Sequence, residues 1–247
     1  MRVVSLVPSL TETLLACGVE VVGRTRYCIH PAETVRDITV VGGTKGVNWQ
    51  KVAELAPDFV VMDREENTRQ MADDCPVPWV ATHVTSIAAA GEDLMMLADH
   101  LGSGELETLA SGWQRLAAAP DRAFSGWLSI PGIQSPLGQS FTDFDSLEYM
   151  IWRDPWMAAG SQTFIGSMLK RVGLGSFLKP HPEAYPQLTG PMPEDGTFYL
   201  FSSEPYPFAR HTQELADCGF NGALVDGEFF SWFGIRSYRM LEAYLET

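Results

Sequence analysis

Aromatic side chains are concentrated at the ends of predicted strands and in the turns that follow them. In the stretch IWRDPWMAAG, residues 151–160, two tryptophans, an arginine, an aspartate and a proline fall within five positions directly after a predicted strand. A core strand does not need this composition, whereas a large flat ligand would bury well against such rings. The alternative is that several of the rings are core anchors. The ligand-binding candidates are Tyr27, Trp152, Arg153, Trp156, Tyr206, Phe208, Phe229, Phe230 and Trp232.

The charged residues near these turns leave two interpretations open. Arg153 can bind a carboxylate or a phosphate through two parallel hydrogen bonds. It can equally form a salt bridge with Asp154 or with Asp226. Asp226 and Glu228 have the chemistry of metal ligands, although an aspartate at a strand end more often caps the following turn.

The histidines and cysteines do not form a metal-binding pattern. The five histidines show no HxH or HxxxH spacing, and the four cysteines are widely spaced with no CxxC pair. We therefore predict no metal site built from protein ligands alone and no disulfide framework. Axial ligation of a bound cobalt or iron macrocycle by His30, His83 or Cys28 stays open.

Sequence motifs for nucleophilic catalysis and for phosphate binding are absent. The chain contains no GxSxG, no GxxxxGK[ST] and no GxGxxG, and the glycine-rich VGGTKG lacks the spacing of a phosphate loop. We assign no catalytic residue and predict a binding protein that is not an enzyme and requires no cofactor.

Composition narrows the set of partners. The net charge of −14 and the pI of about 4.7 argue against binding to nucleic acid or to anionic membrane surfaces. No apolar run approaches the ~18 residues of a membrane span, so we predict no membrane insertion. The motif LLAC at 14–17 resembles a lipoprotein cleavage box, but Pro8 and Glu12 interrupt the apolar stretch before it. We therefore predict no signal peptide and a cytoplasmic location as written, or a periplasmic one if the true start lies upstream.

Predicted strands and helices alternate along most of the chain. Arg2–Val7 is predicted as a buried strand, followed by a helix in which Ser9 is the N-cap and Glu12 completes a capping box. The alternation stops near residue 102 and resumes at 147, and residues 207–218 are predicted as one helix. This pattern predicts an α/β fold with parallel sheets and helices on their faces.

The chain divides into four predicted segments: an N-terminal α/β lobe at 1–102, a linking helix at 103–120, an irregular insertion at 121–146 and a C-terminal α/β lobe at 147–247. The insertion is rich in Gly, Pro, Ser and Phe, and is either a lid or another partner surface. The two lobes repeat one plan, because DFVVMDREENTRQ and TFYLFSSEPYPFARH each contain a strand, a polar turn, a glutamate and a helix. Two such lobes facing each other would place these turns around a shared cleft.

Several motifs in order resemble one known family. RVVSLVPSLTETLLACG, VVGRTRYCIHP, VGGTKGVNWQKVAELAPDFVV and EEN resemble the cluster A (class III) substrate-binding proteins of ABC importers, the group of the vitamin B12 and iron-siderophore receptors. IWRDPWM, SSEPYPF and DGEFFSWFG look like the subgroup of helical backbone metal receptors and cobalamin-binding proteins. The resemblance covers most of residues 1–120 and 147–247.

The resemblance implies two Rossmann-like lobes with parallel sheets, joined by a single long backbone helix, with the ligand cleft between the lobes. It implies a metal-containing small molecule as the ligand, either a corrinoid or an iron chelate or haem-like compound. It also implies an ABC permease as a partner, docked through one glutamate on each lobe, here Glu66 (or Glu65) and Glu204. We expect a monomer. The alternative is a cytosolic protein or enzyme that handles corrinoids or metallocofactors and kept the fold without transport.

Overall fold

The computed structural model describes residues 1–137, 144–190 and 192–246. They form two compact units. Unit 1 comprises Met1–Ala118 and Trp232–Arg239, and unit 2 comprises Ala119–Ser231 with the C-terminal residues from Met240 onward. The function of residues 103–120 as a linking helix stays a prediction.

Unit 1 contains a sheet in the order β4-β3-β2-β1-β5-β6. Neighbouring strands are parallel, except that the short edge strand β4 runs antiparallel to β3. The strands are β1 (Arg2–Ser5), β2 (Glu20–Thr25), β3 (Thr39–Gly43), β4 (Gly46–Val47), β5 (Phe59–Asp63) and β6 (Trp79–Thr82).

Some of the helices of unit 1 begin at a residue whose side chain caps the first turn, and one of them ends at a glycine. Asn48 accepts a hydrogen bond from the amide of Lys51, and Ser86 accepts one from the amide of Ala89. Gly102 closes a long helix at φ 61°, in the left-handed region that favours glycine. The helices are α1 (Pro8–Ala16), α2 (Ala32–Val35), α3 (Trp49–Glu54), α4 (Arg69–Asp73), α5 (Ile87–Leu101) and α6 (Gly104–Ala118).

Unit 2 contains a sheet in the order β7-β11-β10-β8-β9. Strands β11, β10 and β8 are parallel, and both edge strands are antiparallel to their neighbours. The strands are β7 (Ile133–Leu137), β8 (Ser146–Trp152), β9 (Met157–Ala158), β10 (Thr197–Ser202) and β11 (Gly222–Val225). The helices are α7 (Phe164–Arg171), α8 (Thr212–Asp217) and α9 (Gly227–Ser231); the last helix, α10 (Ile235–Leu245), contributes residues to both units.

Each sheet has its own hydrophobic core. The core of unit 1 is mainly aliphatic and includes Val4, Leu6 and Val60, as the apolar pattern of the strands predicts. The core of unit 2 is aromatic instead, with Tyr199, Phe201, Phe208 and Phe220 in mutual contact. Trp156 and Tyr206 pack against this aromatic core and are only partly buried. Both rings are therefore anchored by the core and keep part of their surface accessible to solvent.

The predicted α/β class with parallel sheets is confirmed, with three local differences. Ser9 lies inside α1 and does not cap it, because Pro8 already occupies the first helical position and Val7 is the N-cap. Residues 207–218 form a 3-10 helix at Phe208–Arg210 and then α8.

The third difference lies within the predicted irregular insertion. It contains a 3-10 helix at Trp127–Ser129 and the edge strand β7, which is paired with β11; residues 138–143 lie outside the described residues. A strand that pairs antiparallel with a partner about 85 positions away has no local signal beyond a weak alternation. Among the described residues, no helix is long and apolar enough to cross a membrane.

Candidate functional site

The carboxyl ends of β8 and β10 bring several of the predicted ligand-binding residues together in unit 2. Because β8 and β10 are parallel neighbours, the turns that follow them lie at the same edge of the sheet. Trp152 is the last residue of β8 and is 40% exposed. Its ring meets that of Tyr206 edge-on, with 5.5 Å between centroids. We call the group at this edge the Arg153 cluster; it consists of Trp152, Arg153, Trp156, Tyr206, His211 and Glu214.

Arg153 occupies the centre of this cluster. Its Nη2 donates a short hydrogen bond to Oε1 of Glu214, and its guanidinium carbon lies 5.4 Å from the centroid of the Trp156 ring. Trp156 in turn stacks parallel to the buried ring of Phe208 at 6.3 Å. The salt-bridge partner of Arg153 is therefore Glu214, and not Asp154 or Asp226 as the sequence suggested. Glu214 is 61 positions away, so no local pattern could have identified it.

A chain of polar groups extends from Arg153 to Tyr206. The hydroxyl of Tyr206 lies 3.3 Å from Nε2 of His211, and Nδ1 of His211 lies 3.4 Å from Oε2 of Glu214. The hydrogen bond from Arg153 lowers the pKa of Glu214 to about 2, and the same bond raises the pKa of Arg153 further. Glu214 therefore carries a fixed negative charge that orients both the arginine and the histidine.

Three of the predicted ligand-binding residues are fully buried in unit 2. Phe208, Phe229 and Phe230 are all 0% exposed. The ring of Phe208 packs against Phe201, and that of Phe230 packs against Tyr149 at 5.6 Å. A ligand contact for these three rings stays a prediction, and their contacts here are with the core of unit 2.

Tyr27 lies in unit 1 in the turn after β2 and is 49% exposed. The guanidinium carbon of Arg26 lies 5.0 Å from the centroid of the Tyr27 ring, and its Nη2 donates to the Tyr27 hydroxyl at 3.3 Å. Each unit thus presents an arginine on an aromatic ring directly after a strand of its sheet. Sequence reasoning did not single out Arg26, although its position beside Tyr27 was a usable signal.

Trp232 belongs to unit 1, although it follows the last strand of unit 2 in the chain. Its ring meets the ring of His30 edge-on at 5.5 Å, and the guanidinium of Arg236 lies 5.6 Å from it. Arg236 is held in place by two hydrogen bonds of 2.9 and 2.8 Å to the carboxylate of Glu12. His30 and Tyr27 lie in the same segment after β2. Among the described ring pairs, His30 contacts Trp232 and Tyr27 does not.

The residues left open as axial ligands differ in accessibility. Cys28 is 0% exposed, and its thiol is within 3.0 Å of the Thr11 hydroxyl and 3.2 Å of the Thr25 hydroxyl. Burial raises the pKa of Cys28, so the thiol stays protonated at neutral pH. His83 is exposed in the turn after β6. In the part of the chain that the structure describes, no group of three His, Cys, Asp or Glu side chains could hold a metal ion.

The two glutamates predicted to dock a permease follow strands β5 and β10. Asp63 ends β5, and its Oδ1 accepts hydrogen bonds from the amides of Glu65 and Glu66 at 2.8 and 3.3 Å. This turn fixes the backbone of Glu66, which is half-buried; burial raises the pKa of its carboxyl. Glu204 is exposed as a residue, but nearby protein atoms remove part of the water around its carboxyl. This partial desolvation raises the pKa of Glu204, and the negative charge of Glu228 raises it further.

Comparisons with known proteins identify the class of fold. No family model matches the sequence. Among solved structures, the periplasmic vitamin B12-binding protein BtuF of Vibrio cholerae is 16% identical, covers 99% of this chain and 96% of its own, and has a TM-score of 0.61. IsdE of S. aureus complexed with haem is 13% identical, covers 98% of this chain and 97% of its own, and has a TM-score of 0.69. The periplasmic haem-binding protein RhuT of Roseiflexus sp. RS-1 is 18% identical, covers 99% of this chain and 96% of its own, and has a TM-score of 0.61.

These relatives share the fold of this chain over nearly its whole length. The chain has the fold of periplasmic binding proteins whose described ligands are vitamin B12 and haem. The resemblance predicted from the ordered motifs is therefore confirmed at the level of the fold. At such identities the similarity extends to architecture and does not define the ligand.

Proposed function

We propose that this protein is a non-enzymatic receptor for a large, flat, metal-containing ligand, either a corrinoid or an iron chelate or haem-like compound. The observation that carries the proposal is the Arg153 cluster, in which the exposed ring of Trp152, the half-buried rings of Trp156 and Tyr206, and an ion-paired arginine lie at the carboxyl ends of two parallel strands. Rings of this kind bury a flat macrocycle, and a guanidinium on a ring can bind its acidic substituents.

The pair formed by Arg26 and Tyr27 supports the same proposal. It combines the exposed ring of Tyr27 with an arginine after a strand of unit 1, and in unit 2 Arg153 lies in the same way on the half-buried ring of Trp156. Among the solved structures that share this fold, BtuF is a vitamin B12-binding protein and IsdE is complexed with haem. We further propose that the loaded protein delivers its ligand to an ABC permease, and that Glu66 and Glu204 contact that permease.

The test is a spectroscopic titration of the purified protein with cobalamin, cobinamide, haem and ferric siderophores. We expect saturable binding of one of these compounds, with a shift in its absorption bands. Failure of all of them to bind at high micromolar concentration would refute the proposal.

A matched pair of variants tests the location of the site. Trp152 and Trp79 are 40% and 43% exposed, and Trp79 lies on the edge strand β6 of unit 1. We expect Trp152→Ala to weaken binding by roughly tenfold or more, because it removes a large ring from the binding edge. Trp79→Ala should leave the affinity unchanged. Equal losses in the two variants would mean that the Arg153 cluster is not the ligand site.

A further inference from the structure

Unit 2 also contains a cavity lined largely by polar residues. Its volume is about 660 Å³, which is in the range of small-molecule sites. It lies between one face of α7, the segment that precedes the 3-10 helix at 127–129, and the loop after α7. We call it the Arg122 pocket; its polar lining residues are Asp121, Arg122, Ser161, Ser167, Lys170 and Ser176. None of them belongs to the Arg153 cluster.

The backbone around this pocket is closely packed. The amide of Arg122 donates to the carbonyl of Arg171, at the end of α7, at 3.1 Å. Gly173 has φ 94°, and a Cβ at this position would lie 2.7 Å from the amide nitrogen of Phe124. Only a glycine allows this approach, so the segment that carries Arg122 is fixed against the end of α7.

The guanidinium of Arg122 is held through one of its nitrogens, Nη2. Its Nη2 donates to the carbonyls of Tyr244 and Leu245 at 3.1 and 2.6 Å, and its Cζ lies 5.4 Å from the Tyr244 ring. Among the described residues, Nε and Nη1 of Arg122 have no hydrogen-bond partner. The group is therefore pre-oriented, and the donors that suit an anion are still available.

The charge of the lining is positive, in contrast with the chain as a whole. Among the described lining residues, Arg122 and Lys170 are opposed by one carboxylate, that of Asp121, whereas the protein carries a net charge of −14. Asp121 interacts with Lys170 at 3.6 Å and with the buried Arg171 at 3.3 Å. The Lys170 side chain is 70% exposed in this pair, and such surface pairs contribute little. An anion in the pocket can therefore recruit Lys170.

We propose that the Arg122 pocket binds the phosphate group of a small molecule. A phosphate has three oxygens that can accept hydrogen bonds at the same time from a guanidinium, an ammonium and a hydroxyl. Arg122, Lys170 and the exposed serines Ser161 and Ser176 supply these three kinds of donor. This inference does not depend on the metal-containing ligand proposed above.

The test is calorimetric titration of the full chain with pyrophosphate, inorganic phosphate and malonate, supported by ³¹P line broadening. We expect saturable binding of pyrophosphate at millimolar concentrations or below. Lys170→Gln should weaken it about tenfold, which is the effect of losing one charge-assisted hydrogen bond. Lys51→Gln, which removes an exposed lysine of α3 in unit 1, is the matched control and should bind as the parent does.

Three results would overturn the proposal: no saturable binding of pyrophosphate, equal affinity in Lys170→Gln and the parent, or equal weakening in Lys51→Gln. Malonate that binds as tightly as pyrophosphate would overturn the assignment to phosphate. Arg122→Gln gives an independent reading, with its thermal unfolding measured alongside. Retained pyrophosphate affinity in a folded Arg122→Gln variant would also contradict the proposal.

Discussion

Arg153 and Glu214, 61 positions apart in the chain, form an ion pair beside the carboxyl end of β8 in unit 2. Glu214 lies in the first turn of α8, whereas Arg153 directly follows β8. The pair therefore connects a helix to the turn that carries Trp156. It places the guanidinium on the Trp156 ring, where a ligand that meets that ring would also meet the positive charge.

The depressed pKa of Glu214 gives this pair a defined pH dependence. A carboxyl whose pKa falls from 4.5 to about 2 on folding adds stability above its unfolded pKa and loses it as the pH falls through the folded value. We expect Glu214→Gln to be less stable than the parent near neutral pH, with the difference vanishing as the pH approaches about 2. Denaturant unfolding of both proteins across this range measures it. The control is Asp217→Asn in the same helix; a pH-independent difference for Glu214→Gln would contradict the prediction.

His181 and the buried Glu148 form a second pair, at the start of β8. Nε2 of His181 lies 3.0 and 3.1 Å from the two oxygens of Glu148, which is 3% exposed. Burial raises the pKa of Glu148, and His181 opposes this shift. His181→Ala therefore leaves a buried carboxylate without its histidine partner, and we expect it to cost about 2–4 kcal/mol near neutral pH.

This cost should shrink in acid. A carboxyl with a raised pKa destabilises the fold as the pH rises above its unfolded pKa, and adds nothing once it is protonated in both states. Unfolding of His181→Ala at acidic and neutral pH measures the difference. The exposed His100 supplies a control, because His100→Ala should change stability by less than about 0.5 kcal/mol. A larger loss in acid than at neutral pH would contradict this account of the pair.

Gly112 and Gly104 occupy the same helix, α6, in different surroundings. A Cβ at Gly112 would lie 2.5 Å from the hydroxyl of Tyr238 and 2.7 Å from its ring, which packs against the buried Trp113. A Cβ at Gly104 would have no atom of the described residues within 4 Å. We expect Gly112→Ala to destabilise unit 1 by about 1–3 kcal/mol through overpacking.

Gly104→Ala is the control for this prediction. It should be neutral or stabilising by up to about 1 kcal/mol, since alanine favours the helix over glycine. Thermal unfolding of both variants decides the comparison. Equal effects of the two substitutions would show that Tyr238 moves aside without cost.

Glu66 and Glu204 are the predicted contacts to a permease. If they dock against arginines of the permease, Glu66→Arg combined with Glu204→Arg should abolish ligand-dependent stimulation of its ATPase in a reconstituted system. The affinity for the ligand should stay unchanged. Because single surface pairs contribute little, the effect should be clear only when both glutamates are replaced.

The control for the docking prediction is the double variant Glu107→Arg with Glu183→Arg, which changes the charge equally at two other exposed positions. It should retain stimulation. Loss of ligand binding in the variant with both Glu66→Arg and Glu204→Arg would assign these residues to the ligand site instead.

The sequence by itself determined the fold class and the position of the strand-end aromatics. Alternating apolar strands and helices are local patterns, and the break in them near residue 102 coincides with the end of α5 at Gly102. For the same reason, Trp152 could be placed at the carboxyl end of a strand. The order of the motifs was enough to indicate the architecture that the solved structures share.

Only the tertiary structure decided which groups meet. The bond between Arg153 and Glu214, the pairing of β7 with β11 and the contacts of Arg122 with the end of α10 join residues that are far apart in the chain. Such contacts depend on how elements pack, which no local periodicity specifies. Packing also separated Phe208, buried in the aromatic core, from Trp152, which stays exposed although both follow or end a strand.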